Sequence, residues 1–282
     1  VEKTKELLHP LIREILLAYG VKKGVEIVVI SDVPARGSGL GASSALCVAL
    51  CAALEVLSGN ELDLNDISAR AKLAEKAAQI EIKNVGSPIG KQDHYGSALG
   101  GMNEIIFNSD ESVEFFTACT NSFRDQIEEQ SILLYMNMNR EYHPGMSFIQ
   151  KILKEQVSEI GIKKKEYDLQ RDNAYRLIEH LEYEQIERFM DHINENWRIK
   201  RGLHSDISNE KIDQIIQRAF KFGATAAKVC GGGGGGFLYL LLPPAMRPLF
   251  CEAFKEFPMF SFKFESKGVQ IVFNDAVQYE WA

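Results

Sequence analysis

The chain has no apolar run approaching the ~18 residues that a membrane-spanning helix needs, and it opens without a signal-peptide pattern. A cytoplasmic protein with no membrane partner is the expectation. Basic residues are also in short supply: 32 Lys and Arg stand against 39 Asp and Glu, for a net charge of −7. That balance argues against nucleic acid, whose recognition leans on clustered Lys and Arg. The run Lys163-Lys164-Lys165 is short and adjoins Glu166, so it reads as a solvated helix face. The 5 cysteines include no C-x-x-C pair and no His–Cys spacing suited to zinc. Their odd number and apolar neighbours fit reduced thiols. Nothing in the composition opposes a homodimer.

Two common nucleotide signatures are missing as well. No G-x-x-x-x-G-K-[ST] string occurs, and Gly90-Lys91 runs on into Gln92. The dinucleotide fingerprint G-x-G-x-x-G is met poorly, because Gly37, Gly39 and Gly41 are spaced G-x-G-x-G and followed by serines.

What is present is a glycine loop of another kind, Gly37-Ser38-Gly39-Leu40-Gly41-Ala42-Ser43-Ser44. The apolar run Val25–Ile30 leads into it as a predicted strand, and a small-residue helix, Ala45–Leu57, leaves it. Glycines let the backbone come close to a ligand, and the first N–H groups of a helix have no internal partner, which suits a polyanion. Ser43 and Ser44 stand where a phosphate or a phosphate-bound metal would rest. A merely flexible loop is the competing reading.

Two further segments carry chemistry. Ser87-Pro88-Ile89-Gly90 is a turn signal that sets Lys91, Gln92 and Asp93 just after it. Phosphoryl transfer to a hydroxyl needs a group to orient or deprotonate that hydroxyl and cations to hold the phosphoryl charge. Asp93 and Lys91 fit those two needs. Glu81 ends a predicted amphipathic helix that starts at Ile67 and lies twelve residues before Asp93. Solvated charges beside a turn remain the alternative. Later, Lys228-Val229-Cys230 leads into six consecutive glycines, 231–236, ahead of the apolar strand 237–242. Such a run costs chain entropy unless the backbone must be bare. A linker would instead carry serine or charge between polar flanks.

Together these segments resemble the three motifs of the GHMP kinases in the family's order: P-x-x-x-G-L-G-[SA]-S-S-A at the first loop, the turn before Asp93, and the late glycine run. The resemblance implies an α+β fold of two domains. These are an N-terminal ATP-binding domain like domain 2 of ribosomal protein S5, over 1–128, and a ferredoxin-like C-terminal domain, over 129–282. It implies ATP and Mg²⁺ as cofactors. Residues 37–44 would wrap the phosphates, with Gly233 and Gly234 contributing from the late glycine run. Ser43 and Glu81 would hold the metal, Asp93 would act as base, and Lys91 would offset charge on the phosphoryl or hold a sugar oxygen. The family usually opens with a sugar-contacting strand segment, R-x-P-x-R and then G-G-x-T-D, which this sequence lacks. The expectation is therefore that the N-terminal strands are missing from it.

Within the family, Pro88-Ile89-Gly90-Lys91-Gln92-Asp93-His94-Tyr95 and Gly100-Gly101-Met102-Asn103-Glu104-Ile105 resemble the heptose 7-phosphate kinases, with His94 where that branch usually has glutamine. Asn196-Trp197-Arg198-Ile199-Lys200-Arg201, followed by Ile207-Ser208-Asn209, resembles the same branch. The implied reaction phosphorylates the anomeric hydroxyl of D-glycero-D-manno-heptose 7-phosphate to the 1,7-bisphosphate, on a route to nucleotide-activated heptose and surface polysaccharide. Gln92, Arg140 and Lys200 are the candidate substrate-binding residues, with His143 and Arg201 as further cations. Two alternatives stay open: an L-fucose kinase-like enzyme, whose motif has tryptophan where Lys91 stands, and a non-catalytic sugar or nucleotide sensor.

Overall fold

A computed structural model describes residues 3–33, 37–136 and 148–275. Clustering of close residues divides the chain into two compact units. The first comprises Val1–Ala35, Gly41–Phe115 and Glu265–Ala282, and the second Arg36–Leu40 and Phe116–Phe264.

The first unit is mainly helical. Helix α1 (Pro10–Ala18) has Pro10 at its first position, and His9 accepts from the N–H of Ile12 ahead of it. Helix α2 (Ala42–Leu57) starts three residues earlier than predicted, directly after Gly41 in the left-handed conformation at φ 71°. Helix α3 (Ile67–Gln79) is capped by Asp66, whose carboxylate accepts from the Ser68 N–H at 2.9 Å. It runs into a π-turn, Ile80–Asn84, and is followed by helix α4 (Gln92–Leu99). A two-stranded sheet of β1 (Asn103–Phe107) and β2 (Val113–Thr117) begins there. The core is built from α1, α2, α3 and α4, with Ile15, Cys47, Cys51, Ala74, Ala77 and Ala98 fully buried. The small side chains of α2, α3 and α4 let these helices pack closely against one another.

The predicted strand at Val25–Ile30 is not found as a sheet strand, and neither is the apolar segment 269–273. No ladder partner is assigned to either among the described residues, and Ile30 and Val272 are 90% and 95% exposed. β-branched composition alone does not make a strand; a paired neighbour does.

The second unit opens with helix α5 (Asn121–Gln130), capped by the Thr120 hydroxyl, and strand β3 (Ser131–Tyr135). Helix α6 (Phe148–Glu182) is one continuous element of 35 residues. Helices α7 (Ile186–Arg201) and α8 (Glu210–Lys221), strands β4 (Ala226–Val229) and β5 (Phe237–Leu241), helix α9 (Arg247–Ala253) and strand β6 (Met259–Phe260) complete it. The sheet is antiparallel in the order β4-β5-β3-β6. Strand, helices, hairpin, helix and strand in this order make the ferredoxin-like arrangement that the sequence implies. Its core gathers Leu134, Leu238 and Leu240 from the sheet with Ile212 and Phe250 from the helices. None of the helices among the described residues is long and apolar enough to cross a membrane.

Candidate active site

In the first unit, the site grows from the start of α2. Gly41 caps the helix, so Ala42, Ser43 and Ser44 occupy its first turn, where backbone N–H groups lack helical partners. Glu81 sits in the π-turn that ends α3. Its carboxylate is 3% exposed and faces the same turn of α2. The Ser43 hydroxyl donates to Glu81 Oε1 at 2.5 Å, and the Ser44 hydroxyl to Oε2 at 3.3 Å. A π-turn inserts an extra residue into the helical path, and such turns recur at functional sites because they re-aim one side chain. Here it directs Glu81 inward.

His94, on α4, completes this cluster. Its ring is fully buried and its Nε2 lies 2.8 Å from Glu81 Oε2. Burial alone would raise the Glu81 carboxyl, but hydrogen bonds from His94 and Ser43 hold it below the ordinary carboxylate value. Glu81 is therefore the anion of the cluster at neutral pH. The sequence motif marks His94 only as a departure from glutamine, and its contact with Glu81 is not visible there.

Asp93 also sits in the first turn of α4, with its side chain exposed. A Cβ placed on Gly41 would lie 3.3 Å from Asp93 Cγ, so the glycine lets the acid side chain stand against the mouth of the α2 N-terminus. Lys91 precedes α4 and is held by Glu75 of α3, with Nζ 2.8 and 3.0 Å from the two carboxylate oxygens. The Tyr95 hydroxyl and the Gln79 amide bond the same carboxylate at 3.0 and 3.1 Å. Burial would raise the Glu75 carboxyl, yet these bonds keep it below its usual value. Glu75 escaped the sequence reading because nothing local sets it apart from other helix acids. Gln92 is exposed and lines, with Lys91, an open cavity of about 470 Å³ that also involves Lys83, Asn108 and Ser112.

In the second unit, Gly37, Ser38 and Gly39 meet the late glycine run. Gly231, at φ 60°, has its missing Cβ position 2.6 Å from Gly39 Cα. Gly236, at φ 81°, backs on Gly37 and Ser38 just as closely. The Phe237 N–H donates to the Ser38 carbonyl at 3.3 Å. Bare backbone is thus required where two glycine segments interlock. Gly233 and Gly234, singled out from the sequence, pack on Ile207 instead, and the Gly234 N–H donates to the Ile207 carbonyl at 2.8 Å. Which glycines of six meet the loop was not readable from a uniform run.

Lys200 on α7 donates to the Gly231 carbonyl, and Lys228 Nζ donates to Asn196 Oδ1 at 3.0 Å. The Asn196–Arg201 segment thus buttresses the glycine run from behind. Burial pulls the Lys228 amine below its usual value. Arg201 pairs with Asp213 at 3.5 Å. Arg140 and His143 lie outside the described residues.

The donor set of Ser43 and Glu81, two hard oxygens brought within hydrogen-bond distance, fits Mg²⁺.

The chain is similar to known proteins over much of its length. The GHMP kinases N terminal domain matches residues 5–101, and the GHMP kinases C terminal domain matches residues 175–256. A D-glycero-alpha-D-manno-heptose 7-phosphate kinase from Campylobacter jejuni subsp. jejuni is 26% identical over 245 residues, covering 85% of this chain and 68% of that protein. A mevalonate kinase from Thermococcus onnurineus is 29% identical over 228 residues, covering 78% of this chain and 60% of that protein, less than two thirds of its length. Among solved structures, a D-glycero-D-manno-heptose 1-phosphate kinase from Bacteriodes thetaiotaomicron shares the fold with TM-score 0.64 at 22% identity, over 92% of this chain and 71% of that one. The matches to both the N-terminal and the C-terminal domain, over residues 5–101 and 175–256, place this chain among the GHMP kinases.

Proposed function

We propose that this chain transfers the γ-phosphoryl group of ATP to the anomeric hydroxyl of a sugar phosphate, and that D-glycero-D-manno-heptose 7-phosphate is its substrate. One observation carries the reading: the Asp93 carboxyl stands beside Gly41, at the N-terminus of the helix whose first turn faces Glu81. A proton acceptor and a polyanion cradle then share one wall. The Campylobacter relative and the segment Pro88–Tyr95 support the sugar.

In this reading the N–H groups of the α2 first turn receive the β- and γ-phosphates, aided by the helix dipole. Ser43 and Glu81 would hold Mg²⁺, which shields the charge on the phosphates. Asp93 accepts the proton of the anomeric hydroxyl as its oxygen attacks the γ-phosphorus and the bond to ADP breaks. Lys91, aligned by Glu75, offsets charge on the phosphoryl in transit. Gln92 and Lys200 are proposed substrate contacts, and a cytoplasmic location follows from the substrates.

The test is ADP release from ATP·Mg²⁺ across a panel: D-glycero-D-manno-heptose 7-phosphate, D-mannose 6-phosphate, L-fucose, galactose and mevalonate. Turnover of the heptose phosphate well above the rest is expected. Preference for L-fucose or mevalonate overturns the sugar assignment, and binding of nucleotide without any turnover favours a sensor.

A further inference from the structure

The Glu81 cradle contains more than hard oxygens. Cys47, one turn beyond Ser43 on α2, is fully buried beside it, and ligand atoms of Cys47, Glu81 and His94 lie within 4.8 Å of one another. The three come from three separate elements, α2, the π-turn and α4. Their sequence separations, 34 and 13 positions, match no metal-binding spacing, so only folding reveals them. His94 Nε2 faces Glu81 at 2.8 Å, and its other ring nitrogen, Nδ1, is buried with no hydrogen-bond partner. Cys47 Sγ donates to the Ala77 carbonyl at 3.3 Å and also bonds the Cys51 thiol one turn further along α2.

We infer that Cys47, Glu81 and His94 form a binding site for a borderline divalent cation of the Zn²⁺ class, distinct in chemistry from the Mg²⁺ that Ser43 and Glu81 would hold. Thiolate and imidazole are soft to intermediate donors that favour Zn²⁺ or Co²⁺ and are indifferent to Mg²⁺. Zinc sites with one sulfur, one nitrogen and one oxygen ligand have bonds of about 2.3, 2.0 and 2.1 Å, which put neighbouring ligand atoms about 3.5 Å apart. The observed spread closes around an ion with shifts of about an ångström. One thiolate and one carboxylate also balance a divalent charge, which removes the cost of burying either anion alone. The fourth position would be left to water or another oxygen ligand, as in sites with three protein ligands.

The cation site stands on these side chains by themselves. Its consequence rests on the kinase reading: an ion held here recruits Glu81 away from Ser43 and competes with Mg²⁺, so Zn²⁺ would inhibit phosphoryl transfer.

Cobalt(II) titrated into the reduced, metal-free full chain tests the site without measuring turnover. The expected result is one cobalt per chain, with a thiolate-to-cobalt charge-transfer band in the near ultraviolet. Zn²⁺ should bleach it, and a large excess of Mg²⁺ should leave it unchanged. Cys47→Ser should abolish the band, His94→Gln should weaken binding at least about tenfold, and Cys251→Ser should keep both. If Cys47→Ser does not fold, zinc-edge X-ray absorption of the wild-type chain decides instead, with one sulfur among nitrogen and oxygen ligands expected. No charge-transfer band in the wild type, a band that survives Cys47→Ser, or two sulfurs around zinc would each overturn the inference.

Discussion

Gly41 leaves room for Asp93: an added Cβ at Gly41 would sit 3.3 Å from Asp93 Cγ and 3.4 Å from its Oδ2. Gly41 also holds φ 71°, where side chains are strained. Gly41→Ala therefore does two things at once. It strains the cap of α2 by about 1 kcal/mol, and it displaces the Asp93 carboxyl. The expected outcome is a modest loss of stability with a much larger loss of turnover, about a hundredfold. Parallel thermal melts and kinetics check the split.

Gly231 is more tightly enclosed, since its neighbour is backbone rather than a side chain. Gly231→Ala would bring Cβ to 2.6 Å from Gly39 Cα, a contact that neither segment can relieve by a rotamer change. We expect destabilisation of about 1–3 kcal/mol together with weaker ATP binding. Urea denaturation and nucleotide titration measure the two effects. Gly90→Ala serves as control, because nothing lies within 4 Å of that position.

Glu75 aligns Lys91 at 2.8 Å in a partly exposed pair. Such pairs contribute under about 1 kcal/mol to stability, so Glu75→Gln should barely change the melting temperature at neutral pH. Turnover should fall by about tenfold or more, because Lys91 loses its anchor. The pH sign follows from the lowered carboxyl: the native state binds the proton less readily than the unfolded chain. The small stabilisation is complete above about pH 4.5 and fades as the pH falls further. The wild-type and variant stability curves should converge in acid.

A second titratable cluster lies in the other unit. Asn173 Nδ2 donates to the His192 carbonyl at 3.2 Å, which leaves its Oδ1 to accept from His192 Nδ1 at 2.7 Å. His192 Nε2 then accepts from His180 Nδ1 at 2.7 Å. This pattern needs a neutral His192, and burial first, then His180 and Arg176, hold its basicity below the usual 6.5. Arg188 adds to that effect, while Asp191 opposes it. The unfolded chain takes up the proton at higher pH than the folded one. The contribution is therefore complete above about pH 6.5 and is lost as pH falls towards the lowered value. We expect the melting temperature to drop by a few degrees between about pH 7.5 and 5.5, and His192→Gln to flatten that slope.

The sequence revealed what is local. The glycine loop, Glu81 and Asp93 are readable because a glycine cluster, a helix end and a turn are each written in neighbouring residues. The ferredoxin-like half follows from the order of its strands and helices. What folding alone supplies is convergence: Cys47 with His94, Glu75 with Lys91, and Gly231 with Gly39 are pairs far apart along the chain. The Val25–Ile30 run shows the opposite failure. Its composition favours a strand, but a ladder needs a neighbour, and none is assigned among the described residues. The early start of α2 has a physical cause too, since Gly41 in the left-handed conformation ends the loop before Ala42.

The most direct test of the kinase account is Asp93→Asn, assayed with D-glycero-D-manno-heptose 7-phosphate and ATP·Mg²⁺ beside a nucleotide titration of the same protein. The account predicts nucleotide affinity close to wild type and turnover reduced by about a thousandfold. Turnover that stays within about tenfold of wild type, with nucleotide still bound, would contradict the assignment of Asp93 as the base and with it the proposed site.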